Sequence, residues 1–242
     1  MEKVSVIIVT YNASKTLCEA IDSVLEQTYS NVECLIVDGN SQDSTMKIVE
    51  SYGDKIRWIS EPDNGIYDAM NKGWKLASGE WILFLGADDL LLPSGIELLI
   101  NKSMNLDVVY GDTIFVKGKN EKAVKSLPTR YVRQRMVASH QSLMMRKNIF
   151  VALHGFDLKY KIVADAELVL RAFLAGYKFG QVDGSISRFS DEGISSRTYI
   201  NIFEGYKMRK EKHVCGIWTL RFSLAILLIK KWVRLNFIRR CY

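Results

Sequence analysis

An apolar run that ends in two adjacent carboxylates restricts the fold more than any other part of the sequence. Trp81 to Leu85 is short and continuously apolar, which is typical of a strand buried on both faces. Gly86 and Ala87 separate this run from Asp88 and Asp89. Carboxylates at such a place lie where open α/β sheets bind ligands, and hard oxygen ligands suit a divalent cation. The alternative is that one of them only caps the helix that follows.

The chain before this strand alternates apolar runs with helical patterns. Strands are predicted at Val4–Thr10, Val32–Val37 and Ile56–Ile59, each followed by a polar cluster. Strands that alternate with helices at this spacing form a parallel sheet with right-handed crossovers. Because the carboxyl ends of parallel strands meet at one edge, the clusters should build a single crevice. They are Thr10-Tyr11-Asn12, Asp38-Gly39-Asn40, residues 61–64 and Asp88-Asp89.

The glycine-rich phosphate-binding motifs are missing from the sequence. No G-x-G-x-x-G follows the first strand, and no G-x-x-x-x-G-K-[ST] occurs anywhere in the chain. Their absence argues against a Rossmann dehydrogenase and against a P-loop NTPase. The pattern favours a nucleotide site that uses carboxylates and a metal ion.

Residues 106–204 have a less regular pattern. Strands are predicted at Val108–Asp112, Ile114–Val116 and Ser139–Met145, and a helix is predicted over Ala164–Ala175. Asp165 lies in the first turn of this helix. One explanation of its place is that the helix dipole stabilises a carboxylate there.

The positive charge of the chain is concentrated at its end. The formal net charge is +6, but residues 205–242 hold ten of the 33 Lys and Arg and only one of the 27 Asp and Glu. The rest of the chain is therefore slightly acidic. This distribution argues against a nucleic-acid groove across the main body, so no nucleic-acid partner is expected.

The cysteines and the first residues indicate the compartment. Four cysteines show no C-x-x-C spacing, so neither a disulfide framework nor a zinc site is predicted. Charged residues directly precede the first strand, and no signal peptide is predicted. These features predict a reducing, cytoplasmic setting.

The last part of the chain is both apolar and basic. The apolar stretch 222–229 is too short to span a bilayer, and basic residues then alternate with apolar ones up to the end. This pattern predicts a basic amphipathic helix on an anionic membrane surface, at the inner face of the membrane. The alternative is a helix that packs on the main domain.

Six short pieces of sequence, taken in order, carry a resemblance to a known family. They are Val6–Asn12, Ile36–Thr45, Asp63–Gly73, Asp88-Asp89, His140-Gln141 and Asp165-Ala166-Glu167. On these pieces the chain resembles, over roughly residues 3–200, the family 2 glycosyltransferases, which are inverting enzymes with the GT-A nucleotide-sugar fold. Each piece is weak alone, but six in the expected order are specific.

The resemblance implies an α/β fold of GT-A type. A mostly parallel central sheet with flanking helices would form the glycosyltransferase domain, residues 1–204, and residues 205–242 would form a C-terminal helical tail. Within the domain, residues 1–105 would be a Rossmann-like half that binds the nucleotide sugar. Residues 106–204 would be the acceptor half.

The resemblance also implies how the donor would bind. Thr10 and Tyr11 would line the base pocket, with the Tyr11 ring against the base. Asp38 would accept a hydrogen bond from an imide N–H, which favours a UDP- or GDP-type donor. The other donor-binding positions would be Asn12, Asp68, Asn71, Lys72, Ala87 and Asp88.

A metal ion is part of the same resemblance. Asp88 falls on the last carboxylate of the D-x-D motif, which holds Mg²⁺ or Mn²⁺ on the diphosphate. Gly86 replaces the first carboxylate, so one ribose or metal contact is either missing or comes from Asp89. Mg²⁺ or Mn²⁺, with Asp88 and Asp89 as ligands, is therefore the expected cofactor, because a divalent ion stabilises charge on a leaving diphosphate.

The acceptor side needs a base, because a hydroxyl is a poor nucleophile at neutral pH. The resemblance places Asp165 in that role, with His140 and Gln141 near the diphosphate or the acceptor. A lid over the phosphates would come from Arg188, Ser195, Ser196 and Arg197, and the alternative is a solvated loop.

These expectations combine in one function. The chain is expected to move a hexosyl or N-acetylhexosaminyl group from a nucleotide sugar to a saccharide or lipid-linked saccharide, in cell-surface polysaccharide biosynthesis. One alternative is a nucleotide-sugar-binding module that has lost catalysis, which Gly86 suggests. Another is a sugar-phosphate nucleotidyltransferase, but residues 11–14 do not supply the glycine-rich basic loop that such an enzyme needs.

Overall fold

The computed structural model describes residues 1–118, 120–190, 200–214 and 225–226. The chain divides into two compact units, Met1–Glu192 and Gly193–Tyr242. The first unit contains the sheet and is described first. The predicted boundary at residue 204 stays a prediction.

The first part of the sheet is parallel, as the sequence predicts. Its strands lie in the order β3-β2-β1-β4. Strands and helices alternate along the chain: β1 (Val4–Thr10), α1 (Leu17–Leu25), β2 (Val32–Asp38), α2 (Thr45–Ser51), β3 (Arg57–Ser60), α3 (Ile66–Leu76) and β4 (Trp81–Gly86).

Apolar side chains on both faces of the sheet hold this part together. Every residue of β1 is buried. On one face, α1 buries Leu17, Ala20, Ile21 and Val24, which the 3.6-residue period places on one side of the helix. On the other face α3 lies very close to β1, because a Cβ at Gly73 would be only 2.6 Å from Cγ2 of Ile7.

One buried carboxylate lies among these strands, at the edge where they begin. Glu33 in β2 is opposite Ser5 in β1 and accepts hydrogen bonds from the Ser5 hydroxyl, from the Ser78 N–H and from Arg57. Burial acts to raise the pKa of Glu33, but these hydrogen bonds outweigh it and lower the pKa to about 2. Glu33 is therefore charged and fully partnered in the folded protein.

The second part of the sheet mixes directions. The order continues from β4 through β8, β6 and β9 to β5, with β7 paired to β6. β8 is antiparallel to both of its neighbours, whereas β9 is parallel to β6. The elements are β5 (Leu90–Leu91), α4 (Gly95–Lys102), β6 (Val108–Lys117), β7 (Asn120–Val124), β8 (Leu143–Arg146), α5 (Lys147–Ala152), α6 (Ala164–Leu174) and β9 (Phe179–Ser190).

Two predicted strand boundaries in this part are wrong. The strands predicted at Val108–Asp112 and Ile114–Val116 are one strand, β6, with an irregular register beside Gly111. A Cβ at Gly111 would lie 2.7 Å from side chains of β9, so the glycine lets the two strands approach through the irregularity. The strand predicted over Ser139–Met145 begins only at Leu143, because His140–Ser142 forms a 3-10 turn.

The second unit is described only in part. Its helix α7 runs from Ile200 to Glu211. In the described ranges, no helix combines the length and the apolar composition that a membrane crossing would require. The amphipathic helix predicted after residue 214 lies outside the described residues, apart from residues 225–226.

Candidate functional site

The carboxyl ends of the parallel strands lie side by side at one edge of the sheet. Thr10 pairs with Asp38, and Asp38 pairs with Ser60, while β4 ends beside β1. Since β8 runs in the opposite direction along β4, the turn His140–Ser142 that precedes β8 lies at the same edge. The edge therefore collects polar residues from both halves of the chain.

Thr10, Tyr11 and Asn12 form one wall at this edge. Tyr11 is 63% exposed, whereas the Thr10 hydroxyl is buried and has no hydrogen-bond partner in the described part of the chain. A buried hydroxyl without a partner is costly unless a ligand or water satisfies it. Asn12, at a φ of 51°, accepts a hydrogen bond from the N–H of Gln42 at 2.8 Å and so fixes the turn.

Asp38 is fully buried, and its carboxylate organises the turn after β2. It accepts hydrogen bonds from the N–H of Ser41 at 2.9 Å, from the Ser41 hydroxyl, and from the Ser60 hydroxyl at 2.7 Å. Three donors on one buried carboxylate hold the backbone of the pocket wall. The predicted contact of Asp38 with a base stays a prediction.

Asp63 belongs to this wall, although the sequence reasoning did not single it out. A Cβ at Gly39 would collide with Oδ2 of Asp63 and would lie 3.5 Å from Cδ2 of Tyr11. Only a residue without a side chain therefore fits between this carboxylate oxygen and the ring of Tyr11. The other oxygen, Oδ1, accepts a hydrogen bond from the Gly65 N–H at 2.8 Å. The signal was present in the sequence, because Asp63 lies in the polar cluster after the third strand.

The predicted ribose and phosphate residues on α3 are hydrogen-bonded within the protein. Asp68 accepts hydrogen bonds from the backbone and side chain of Asn64, at 2.9 and 3.3 Å. Lys72 donates to the carbonyl of Pro62 at 2.7 Å. These contacts hold the loop after β3 against the helix.

Asn71 connects α3 to a distant turn. Its amide donates to the carbonyl of Phe156 and accepts from the Phe156 N–H, both at 2.9 Å, and it also accepts from Trp74. The side chain is thus fully used inside the protein. Its predicted contact with a donor stays a prediction.

The two carboxylates after β4 differ in environment. Asp88 is exposed, whereas Asp89 is 2% exposed and accepts a hydrogen bond from the Gln141 amide at 3.2 Å. A Cβ at Gly86 would be 2.5 Å from Oδ2 of Asp89 and 3.1 Å from Oδ1 of Asp88. The Asp89 carboxylate therefore occupies the space that a side chain at position 86 would need. Ala87, half-buried, completes the turn.

Metal-ligating side chains are sparse at this edge. Among the described residues, no group of three or more His, Cys, Asp or Glu is arranged to hold an ion. Asp88 is the exposed carboxylate of the turn. Mg²⁺ characteristically takes one or two carboxylates and completes its shell with water and substrate phosphates. The residues present fit an ion that is held jointly with a phosphorylated ligand.

Asp165 lies at the start of α6 beside a small cavity. Its Oδ1 accepts a hydrogen bond from the Ala166 N–H at 2.7 Å and is 3.2 Å from the Tyr67 hydroxyl. Its Oδ2 is 3.9 Å from Nδ1 of His140. The cavity of about 30 Å³ has room for about two water molecules. Its other walls are mainly apolar: Met70, Ile82, Phe84, Met136, Leu143, Met145, Phe150, Phe156, Leu168 and Val169.

His140 lies beside the carboxylate of Asp165. Burial lowers its pKa below the usual value, and the charges of Asp165 and Asp88 oppose this shift without cancelling it. The imidazole is therefore neutral at neutral pH.

The remaining predicted positions are placed in part. Gln141 is fully buried beside Asp89, and its Oε1 has no partner among the described residues. Arg188 in β9 pairs with Leu90, directly after the Asp88-Asp89 turn, and forms an ion pair with Glu121. Ser195, Ser196 and Arg197 lie outside the described residues.

Comparison with known families decides the classification. A sequence model described as "Glycosyl transferase family 2" matches residues 5–158, which is more than half of the chain. The chain belongs to this family. Asp38, Asp63 and Asp88 lie within the matched range, whereas Asp165 lies seven residues beyond it.

Two curated glycosyltransferases are similar to this protein over most of the chain. A "PGL/p-HBAD biosynthesis glycosyltransferase" of Mycobacterium tuberculosis is 32% identical over 177 residues, which cover 70% of this chain and 69% of that protein. An uncharacterized glycosyltransferase of Rickettsia prowazekii is 30% identical over 219 residues, which cover 84% of this chain and 69% of that protein. The glycosyltransferase assignment thus extends past the matched range of the family model.

Solved structures show the same fold. TarS 1–349 of S. aureus in complex with UDP matches 93% of this chain and 70% of its own, with a TM-score of 0.69 and 20% identity. The mannosyltransferase PcManGT of Pyrobaculum calidifontis, in complex with GDP-Man and Mn²⁺, matches 89% of this chain and 65% of its own, with a TM-score of 0.66 and 18% identity. The family 2 chain therefore has the predicted α/β fold of GT-A type.

Proposed function

We propose that this protein is an inverting glycosyltransferase that moves a sugar from a nucleotide-diphosphate sugar to a hydroxyl of a saccharide or lipid-linked saccharide. One observation carries the proposal: Oδ2 of Asp165 lies 3.9 Å from Nδ1 of His140, and the turn that holds His140 lies at the same edge of the sheet as the end of β4. Asp165 belongs to the acceptor half and Asp88 to the donor half. A base and a diphosphate-binding carboxylate at the same edge of the sheet suit a displacement at a sugar carbon.

Asp165 is the general base in this proposal. It takes the proton from the acceptor hydroxyl while the hydroxyl oxygen bonds to the anomeric carbon and the bond from that carbon to the diphosphate breaks. Attack opposite to the leaving group inverts the configuration. The Ala166 N–H holds Oδ1, so the carboxylate is oriented before an acceptor arrives. Neutral His140 adds no positive charge beside Asp165 and can hydrogen-bond the diphosphate or the acceptor.

The metal in this proposal is Mg²⁺ or Mn²⁺, held by Asp88 together with diphosphate oxygens. When bound, such an ion stabilises the negative charge that develops on the leaving diphosphate. Asp89 contributes through the turn, since its buried carboxylate is bonded to Gln141 and fills the space beside Gly86.

Donor, acceptor and location follow from the relatives together with the sequence. The complexes of TarS with UDP and UDP-GlcNAc and of PcManGT with GDP-Man support a UDP- or GDP-linked hexose or N-acetylhexosamine. The mycobacterial relative named for PGL/p-HBAD biosynthesis supports a cell-surface glycan. Residues 1–204 form the transferase domain in this proposal, and the tail 205–242 attaches it to the cytoplasmic face of the membrane.

The test is nucleotide-sugar binding followed by transfer. We expect UDP- or GDP-sugars with Mn²⁺ to raise the melting temperature, because a ligand at 100 times its Kd stabilises the folded state by about 2.7 kcal/mol. EDTA and the substitution Asp88→Ala should each weaken donor affinity about tenfold, since EDTA removes the metal ion and Asp88→Ala removes the carboxylate that would hold it. Donor cleavage above background separates an enzyme from a module that only binds, and a complete absence of nucleotide-sugar binding overturns the proposal.

A second prediction concerns the nucleotide base. We propose that a base stacks on Tyr11 and that Oδ2 of Asp63, beside Gly39, accepts the imide N–H of uracil or guanine. In Asp63→Asn the amide can instead donate to N3 of cytosine. Calorimetry should show that UDP affinity falls about tenfold and that the ratio of UDP to CDP affinity falls further, because a mismatched polar pair in a site is costly.

The matched control for this change is Asp54→Asn, an exposed carboxylate away from the strand ends. It should leave both affinities unchanged. An unaltered ratio of UDP to CDP affinity in Asp63→Asn rejects the role of Asp63 while leaving the function itself intact.

A further inference from the structure

A basic segment in the acceptor half has no role in the function proposed so far. Residues 117–135 contain seven Lys and Arg and one acidic residue, Glu121. Glu121 forms an ion pair with Arg188 of β9, so it offsets little of the charge within the segment. A second cluster of positive charge therefore lies within the first compact unit, in addition to the positive charge of the tail.

The side chains of this cluster lie at the surface. Lys122, Lys125, Arg130, Arg133 and Arg135 are all exposed. The side chain of Lys125 remains 79% exposed even though it pairs with Asp112. Five exposed cations within residues 122–135 create a positive potential that attracts anions. We define these five residues as the basic surface.

The basic surface continues into the wall of the Asp165 cavity. Met136 follows Arg135 directly and lines the cavity together with His140 and Asp165. The guanidinium of Arg133 lies over the ring of Phe173, 5.7 Å from its centroid. Phe173 is eight residues after Asp165 in α6, a helical rise of about 12 Å. Arg133 therefore contacts α6 about two helical turns after Asp165, the residue that is proposed to be the base.

We propose that the acceptor of this enzyme is anionic and that its phosphate groups lie on the basic surface while its reactive hydroxyl reaches Asp165. This inference rests on the proposed function and adds the chemical class of the acceptor. Three of the five cations are arginines, whose planar guanidinium groups bind phosphate oxygens in pairs. The contact of Arg133 with the ring of Phe173 restricts the position of the guanidinium and its N–H groups.

Other anions fit the surface less well. The diphosphate of the donor is expected at Asp88, two residues after the end of β4. A membrane surface would require several exposed apolar side chains among the cations. Among the large apolar side chains of residues 120–135, which the structure describes, Val124 alone is exposed. An acceptor whose hydroxyl reaches Asp165 accounts for both the positive charge of the basic surface and its position beside Met136.

The test uses the full chain and an inorganic polyphosphate chain as the probe. The variant Arg130→Gln/Arg133→Gln/Arg135→Gln removes three charges from the basic surface. Its control, Lys47→Gln/Lys55→Gln/Lys102→Gln, removes three exposed charges elsewhere. We expect polyphosphate affinity at low salt to fall about tenfold or more in the first variant and less than twofold in the control, because charge-assisted contacts to phosphate are lost in only one of them.

A second readout ties the bound anion to the site. The chain has three histidines, so the His140 resonance is identified by comparison with His140→Gln. Polyphosphate should shift the His140 signal in the unmodified protein and leave that signal in place in the triple arginine variant. UDP affinity should be the same in all three proteins.

The outcomes separate this inference from the function on which it rests. Equal loss of polyphosphate affinity in both triple variants, or binding that leaves His140 unmoved, overturns the anionic acceptor. Binding only to phosphatidylglycerol vesicles, lost in the arginine variant, assigns the surface to a membrane and also overturns it. If the unmodified protein binds no nucleotide sugar, the proposed function itself fails, and the acceptor assignment falls with it.

Discussion

Asp165→Asn should lower sugar transfer by about 10²–10⁴-fold while leaving nucleotide affinity within twofold, because proton transfer by a positioned base contributes about that factor. The amide has the size of the carboxylate but cannot take a proton from an acceptor hydroxyl. Its carbonyl can still accept the hydrogen bond from the Ala166 N–H, so the start of α6 should remain ordered. Turnover is measured as nucleoside diphosphate release, and affinity by calorimetry.

The control for this change is Tyr67→Phe, which removes the hydroxyl 3.2 Å from the Asp165 carboxylate without removing the carboxylate. It should reduce transfer much less than Asp165→Asn does. If Asp165→Asn turns over at the rate of the unmodified protein, another group takes the proton and the assignment of the base is wrong.

Glu33→Ala should destabilise the fold by about 3 kcal/mol at neutral pH, because a pKa lowered from 4.5 to about 2 corresponds to stability of that size. The change leaves the Ser5 hydroxyl and the Ser78 N–H without their acceptor. The free energy of unfolding is measured by urea denaturation. Glu50→Ala, an exposed carboxylate in α2, should change it by less than about 0.5 kcal/mol.

The stabilisation by Glu33 should depend on pH in a defined direction. The folded pKa lies below the unfolded one, so the contribution is complete above about pH 4.5 and is lost as the pH falls towards 2. The difference between the unmodified protein and Glu33→Ala should therefore shrink between pH 5 and pH 3. A difference that stays constant over this range would mean that the carboxylate is not held in its charged form.

Nucleotide binding offers an independent check on the Glu33 variant. Ser5 and Glu33 are the second residues of β1 and β2, so they lie at the edge of the sheet opposite to Asp38 and Thr10. Glu33→Ala should therefore lower stability without changing nucleotide affinity at temperatures where the variant is folded.

The parallel half of the fold was predictable because its signals are local. Each buried strand is a short apolar run, and each run ends in a polar cluster whose position is fixed by the strand. The mixed half was harder to predict. The strand predicted from Ser139 begins at Leu143, where the apolar residues begin, because the polar residues His140–Ser142 form a 3-10 turn of which Gln141 and Ser142 are buried.

The hydrogen bonds within the candidate site could not be predicted from the sequence. Asp38 and Asn71 were expected to reach a donor, and both use their polar atoms inside the protein. Asp63 was not singled out, although one of its oxygens lies beside Gly39 and Tyr11. Hydrogen bonds between distant turns depend on how the loops pack against one another, and local sequence patterns do not predict this packing.

The close approach of Asp89 to Gly86 has a consequence for how such sites diverge. A side chain at position 86 and the inward conformation of Asp89 compete for the same space, since a Cβ at Gly86 would be 2.5 Å from Oδ2 of Asp89 and one of the two side chains would have to move. The two positions should therefore change as a pair in evolution. Lineages that acquire an acid at position 86 are expected to carry a smaller residue at position 89. A protein with both substitutions should remain stable where a protein with either substitution alone does not.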